Sequence, residues 1–172
     1  MIKSFAPIVS EKSKVLVLGS MPGAESLRKN QYYAHARNYF WRFMFAALKL
    51  EFSENYEIRI SVLKNASVAL WDVLKECRRK GSLDSNIERS SELANDICGL
   101  LKRAPEIHKI CFNGQKAFAS FKKHVLKFNQ DLEKLYEFVV LPSTSPANAG
   151  ISFERKFASW RDEVWCYPKT EI

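Results

Sequence analysis

Tyr32-Tyr33-Ala34-His35-Ala36-Arg37-Asn38 sets two phenols, an imidazole, a guanidinium and a carboxamide in one short stretch. The phenol rings can stack on a flat ligand, and their hydroxyls can reach its polar edge. Upstream, Gly19-Ser20-Met21-Pro22-Gly23 is a tight turn whose backbone N–H groups can approach a ligand closely. Far downstream, the hydroxyls of Ser143, Thr144 and Ser145 suit phosphate oxygens. Flat rings, phosphates and a basic surface together suggest a nucleobase held within a nucleic acid. The sequence has no GxxxxGK[ST], no GxGxxG and no GxSxG, so nucleoside triphosphate, dinucleotide and hydrolase readings lose their usual motifs.

These groups need a frame. Lys14 to Leu18 is short, apolar and rich in valine, as a central parallel strand is. Ser67 to Trp71, Lys109 to Phe112 and Phe138 to Leu141 repeat the pattern. Between them, helical spacing is expected over Asn38 to Leu50, with Asn38 at the N-cap position, more weakly over 54–64, then over Ser90 to Lys102, Gln115 to Lys123 and Phe153 to Trp165. Residues 1–13 read as a short lead, and 124–136 give no clear pattern. Apolar strands alternating with helices predict an α/β fold, a three-layer α/β/α sandwich around a four-stranded parallel sheet, in one domain over 1–172. In such a sheet the loops GSMPG, WDVLKECRRKGSLDS and PSTSPANAG follow strand ends and share one rim. The aromatic stripes Phe40, Trp41, Phe45 and Phe157, Trp160 read as core.

The chain has 172 residues and a net charge of +8, with basic clusters at Lys75, Arg78, Arg79, Lys80 and at Lys122, Lys123, Lys127. That excess favours polyanionic partners, although many basic proteins bind no nucleic acid. Cys77, Cys98, Cys111 and Cys166 form no CxxC pair and stand at no finger-like spacing from histidine, so four reduced thiols and no metal are expected. No apolar run approaches the length of a membrane span, and Met1-Ile2-Lys3-Ser4 starts no signal peptide. A cytoplasmic protein that does not contact membrane is expected, monomeric by default.

GSMPG, then YYAHARNYFW, LWDVLKECRRKGSLDS, FNGQKAF and LPSTSPANA, in that order, resemble the uracil-DNA glycosylase superfamily, and within it the hypoxanthine-DNA glycosylase branch. The resemblance runs from about residue 15 to about residue 165. It implies a four-stranded parallel sheet between helices and a damaged base rotated out of the duplex into a pocket. It also implies hydrolysis of the N-glycosidic bond without metal or cofactor, leaving an abasic site and a free base.

Carried over, the resemblance assigns Gly19, Ser20 and Met21 to the base-binding turn. Mismatch-specific relatives hold a water-positioning asparagine there; Met21 cannot do this, and the task moves to Asn38. An amide carbonyl is a poor base, but an oxocarbenium-like sugar needs only an oriented water. The alternative is that Asn38 merely caps its helix. Tyr33 matches the aromatic that stacks on the flipped base, or else packs at the crevice edge. His35 donates to the base or a phosphate, or braces its loop. Ala36 stands where the family usually has proline, and Arg37 meets a phosphate or braces the loop.

Trp71 and Asp72 fall where relatives recognise the base. Asp72 either accepts from a purine ring N–H or is a capping or salt-bridged residue. Arg79, Gly81, Ser82 and Asp84 form a polar loop on the rim or a solvated turn. Asn113-Gly114 reads as a plain strand-to-helix turn. Ser143, Thr144, Ser145, Pro146, Ala147 and Asn148 match the loop that grips the DNA backbone, with Pro146, Ala147 and Asn148 as its wedge. No lysine matches a family nucleophile, so simple hydrolysis is expected rather than a Schiff-base lyase. The expected activity is monofunctional excision of a deaminated base from DNA, hypoxanthine first. Uracil, xanthine or mismatch excision, a non-cutting damaged-base binding module, and an enzyme of free nucleosides are the alternatives.

Overall fold

The Val-Leu-Val-Leu run forms a strand because burial on both faces leaves no place for polar alternation. The computed structural model describes residues 1–165; Cys166 lies outside them. Strand β1 (Ile2–Lys3) is followed by β2 (Val15–Gly19), α1 (Ala24–Lys29), α2 (Phe40–Ala47), α3 (Tyr56–Asn65), β3 (Val68–Asp72) and β4 (Leu74–Cys77). Then come β5 (Leu93–Ala94), α4 (Ile97–Arg103), β6 (Lys109–Asn113), α5 (Gln115–His124), α6 (Leu132–Leu135), β7 (Glu137–Leu141) and α7 (Phe153–Trp160). A π-helical turn, Arg161–Trp165, continues α7.

The main sheet has the order β3-β2-β6-β7 and is parallel throughout, flanked by helices as expected. Its register matters for function. Gly19 pairs with Asp72 and Asn113 pairs with Leu141, so these residues end their strands on one rim. The chain passes from β2 to β3 on one side and to β6 on the other, and loops diverging at such a reversal leave a crevice. Beneath it, α2 buries Phe40, Trp41, Phe43, Met44 and Phe45. Phe40 meets Trp160 of α7 edge-on at 5.7 Å. On the β6 side, Phe112 packs on Phe118 and Phe121 of α5.

Three main strands end one residue later than their apolar runs, at Gly19, Asp72 and Asn113, because the ladder continues through a glycine or polar residue, and β7 begins one residue earlier, at Glu137. Two expectations fail outright. The lead 1–13 is pinned: Ile8 pairs with Leu70 through reciprocal backbone hydrogen bonds of 2.9 and 2.8 Å, and β1 joins β4 and β5 in a small antiparallel sheet. The helix expected over Ser90 to Lys102 begins only at Ile97, where the Asp96 carboxylate accepts the Gly99 N–H at 2.8 Å. Leu93, inside the range expected to be helical, lies in β5 and is exposed. The helix expected from Asn38 begins at Phe40, and α1 occupies part of what reads as a polar loop. No helix among the described residues is long and apolar enough to cross a membrane.

Candidate active site

A cavity of about 380 Å³ opens over the rim, a size within the range of small-ligand clefts. Its wall collects Gly19, Ser20, Met21, Tyr33, His35, Asn38, Asp72 and the whole of 143–148, drawn from four separate stretches of chain.

Asn38 sits just before α2. Its side-chain Oδ1 accepts the Phe40 N–H at 3.0 Å, and its own N–H donates to the His35 carbonyl at 2.8 Å. The side chain therefore does satisfy an N–H at the helix start, although the N-cap position itself is Tyr39. One lone pair of Oδ1 is taken; a carbonyl oxygen has a second. His35 is exposed, and its Nδ1 accepts the Arg37 N–H at 3.1 Å. That bond fixes Nδ1 as the acceptor and leaves Nε2 as the protonated donor of the neutral ring.

Tyr33 adopts a left-handed backbone, φ 52°, and its ring lies 4.5 Å from that of Phe40. Its hydroxyl is buried without a hydrogen-bond partner. Burial, with the Asp72 carboxyl adding to it, pushes the phenol pKa well up, so the hydroxyl stays protonated. Gly19 makes room for this pair. A Cβ there would stand 2.4 Å from Asp72 Oδ1 and 3.1 Å from the Tyr33 hydroxyl.

Asp72 is 3% exposed. Neither a cap nor a salt bridge holds it; the Ser4 hydroxyl donates to its Oδ2 at 2.9 Å. Burial pushes its carboxyl up to about 7, and nearby Asp84 adds to the shift, against opposing effects of Ser4 and Arg79. Trp71 is a correction. It is buried, absent from the cavity wall, and its indole N–H donates to the Phe5 carbonyl at 2.9 Å. Strand alternation turns consecutive side chains to opposite faces, so Trp71 and Asp72 cannot both face the cavity.

Thr144 is the second correction. Its side chain is fully buried, and its hydroxyl accepts from Asn113 Nδ2 at 2.9 Å, while its N–H donates to Asn113 Oδ1 at 2.9 Å. The side chain is thereby held inward against Asn113. Ser143 and Ser145 remain partly open, each accepting a backbone N–H two residues on, from Ser145 and Ala147. Asn148 Nδ2 donates to the Ser143 carbonyl at 3.4 Å. The buried Lys156 ammonium donates to the Asn148 carbonyl from below; burial pushes its pKa down. Pro146, Ala147 and Asn148 line the cavity without offering a bulky apolar side chain.

Asn113, read from the sequence as part of a plain turn, belongs to the site. Asn113 lines the cavity and clamps the 143–148 loop, and Gly114 beside it takes φ 91° with Ser143 packed close. Its signal was the same as that of Asp72, a polar residue closing an apolar strand. The Arg79 side chain is fully buried and donates to the Gly81 and Pro22 carbonyls. Ser20 donates to Asp84 at 2.6 Å, and the Ala24 N–H donates to Ser82 at 2.9 Å. The 79–84 segment is thus fastened to the first turn. Among the described residues no group of three or more His, Cys, Asp or Glu side chains could hold a metal ion.

A family model described as the uracil DNA glycosylase superfamily matches residues 6–168. A protein named hypoxanthine DNA glycosylase from Methanosarcina acetivorans is 38% identical over 165 residues, covering 95% of this chain and 94% of that one. Its namesake from Methanosarcina barkeri is 34% identical over 93% and 96% of the two chains. A solution NMR structure of a candidate uracil DNA glycosylase from M. acetivorans superposes with a TM-score of 0.77 at 37% identity, covering 93% of this chain and 94% of that one. The cavity at the strand ends, the order of the motifs around it and these full-length matches agree: the chain belongs to the uracil DNA glycosylase superfamily.

Proposed function

We propose that the chain is a monofunctional DNA glycosylase that rotates a deaminated base, hypoxanthine first, out of DNA and hydrolyses its N-glycosidic bond. The observation that carries this reading is Asn38 on the cavity wall with its carbonyl oriented by the Phe40 N–H. The second lone pair of Oδ1 then accepts from a water and aims it at the anomeric carbon. The C1′–N9 bond breaks with its electron pair leaving on the base, the water oxygen bonds to C1′, and its proton passes to solvent. Most of the acceleration comes from orientation.

The base enters beside Tyr33, whose ring offers a flat surface. Asp72, in its ionised form, accepts from N1–H of hypoxanthine, a donor that adenine lacks. Ser143 and Ser145, with the backbone of 145–148, meet the phosphates flanking the extruded nucleotide. The name of two relatives, hypoxanthine DNA glycosylase, supports this choice of base.

The test is incubation with an inosine-containing duplex, followed by alkali to cleave abasic sites, with uracil and xanthine duplexes in parallel to rank substrates. Strand scission by the wild type is expected, and Asn38→Ala should fold, bind and lose about a hundredfold or more in single-turnover rate. Salt-sensitive binding without scission by the wild type would make it a binding module instead. Equal cleavage of the free nucleoside would point to nucleoside metabolism.

A further inference from the structure

Leu83 stands apart. Its side chain is 52% exposed, and of the large exposed apolar side chains among the described residues it is the one on the cavity wall. An exposed leucine adds nothing to the core, and a floppy loop would let it fold back. This loop is not floppy. Arg79 ties it to Gly81 and Pro22 from a buried position, Ser82 holds the Ala24 N–H, and Asp84 holds Ser20. Asn86 closes the turn by donating to the Lys80 carbonyl at 3.1 Å. Several hydrogen bonds therefore keep an apolar side chain in water at the mouth of a cavity.

The facing loop has the opposite character. Pro146, Ala147 and Asn148 approach the cavity with little apolar bulk, and the Asn148 carboxamide is turned back on Ser143. Ile151 is exposed too, but it lies off the cavity wall, on an adjoining groove that shares Ser143 and Asn148 with it. Extruding a nucleotide leaves its neighbours unstacked, at a cost of a few kcal/mol, and an inserted apolar side chain offsets part of that cost. A side chain with this task must be apolar, exposed, rigidly held and next to the pocket that receives the base. Leu83 meets all four conditions, and exposed Arg78 and Lys80 bring positive charge for the adjoining phosphates.

Resting on the function proposed above, we propose that Leu83 is a wedge that enters the base stack of duplex DNA beside the extruded nucleotide. The loop 79–84 is then a second DNA contact, across the cavity from 143–148. The wedge is needed where a base must be pulled from an intact stack and is dispensable where the stack is already broken.

The experiment compares single-turnover excision of inosine from a fully paired duplex and from a bubble in which the target and its neighbours are unpaired. Leu83→Ala should lower the paired-duplex rate about tenfold relative to the bubble rate, and Leu83→Met should restore most of the ratio. A 2-aminopurine next to the inosine reports unstacking directly; its fluorescence rise on binding should shrink in Leu83→Ala and return in Leu83→Met. A paired-to-bubble ratio equal to that of the wild type, with an unchanged 2-aminopurine rise, would overturn the wedge. Equal losses on both substrates would also overturn it, placing Leu83 against the base rather than in the stack. Failure of the wild type on either substrate would instead strike the proposed function, and the thermal melting temperature separates both from misfolding.

Discussion

Asn113 and Thr144 hold each other by two hydrogen bonds, each 2.9 Å, one from the Asn113 amide to the threonine hydroxyl and one from the Thr144 N–H to the amide carbonyl. The pair closes β6 against the loop after β7, and Thr144 in turn accepts the Tyr39 N–H at 3.1 Å. A surface loop bearing two prolines is thereby given a fixed place on the cavity wall.

If this clamp sets the loop, Asn113→Ala and Thr144→Val should each loosen it. Each should cost about 1–2 kcal/mol in denaturant unfolding, since each leaves a buried polar group unpaired. The double variant should cost less than the sum, because the two residues serve one interaction. Fully additive losses would show that Asn113 and Thr144 act separately.

The Asp72 carboxyl, pushed up to about 7 by burial and by Asp84, makes two pH-dependent outcomes. A raised native value stabilises the folded chain most below the ordinary carboxyl value of 3.8, and that contribution is lost as pH rises through about 7. Asp72→Asn should therefore gain stability relative to the wild type between pH 4 and 7, on the order of 4 kcal/mol at most, and hold that gain above. Activity should move the other way. With the ionised form accepting from N1–H, kcat/KM on inosine DNA should rise through about pH 7 in the wild type, and this step should be absent from Asp72→Asn. A rise of the same midpoint in the variant would assign the titration to another group.

Glu92 gives a contrasting window. Its carboxylate is 1% exposed and receives Lys116, Lys123 and His124 from α5, the latter two at 2.9 and 2.7 Å. Although burial pushes it up, these hydrogen bonds hold it down at about 2. The stabilisation is present above the ordinary value of 4.5 and is lost as pH falls through about 2. Glu92→Gln should cost about 2 kcal/mol at pH 7, less than a fully enclosed pair because the lysines stay partly solvated. The gap from the wild type should narrow below pH 4.5 in urea titrations, and a gap constant down to pH 2 would exclude ionisation as its source.

Much of the scaffold was legible because burial writes itself into short apolar runs. VLVL, SVALW, KICF and FVVL each became a main-sheet strand; the first three are buried on both faces and have no polar alternation to blur them, while FVVL, at the sheet edge, is only half-buried. The small sheet was illegible for the converse reason. Two-residue strands carry no period, and Leu74-Lys75-Glu76-Cys77 reads as a polar stretch although its ends are buried. The wall of the cavity was largely readable, as glycines, serines and an amide beside strand ends. The groups that hold it were not, since Ser4 reaches Asp72 across 68 residues and Asn113 reaches Thr144 across 31. Local pattern carries no trace of such pairings. Trp71 misled because its neighbour Asp72 does face the cavity, and one step along a strand reverses the side.

The Tyr39 N–H bound to the Thr144 carbonyl joins the entrance of α2 to the serine-proline loop. Tyr39 directly follows Asn38, so the amide proposed to aim water and the loop proposed to meet phosphates share one mechanical seat. A chimera that imports 143–148 from a relative, with the aim of changing how DNA is gripped, would retune the hydrolytic geometry along with it. Transplants in this scaffold should therefore move 35–40, Asn113 and 143–148 as a single cassette.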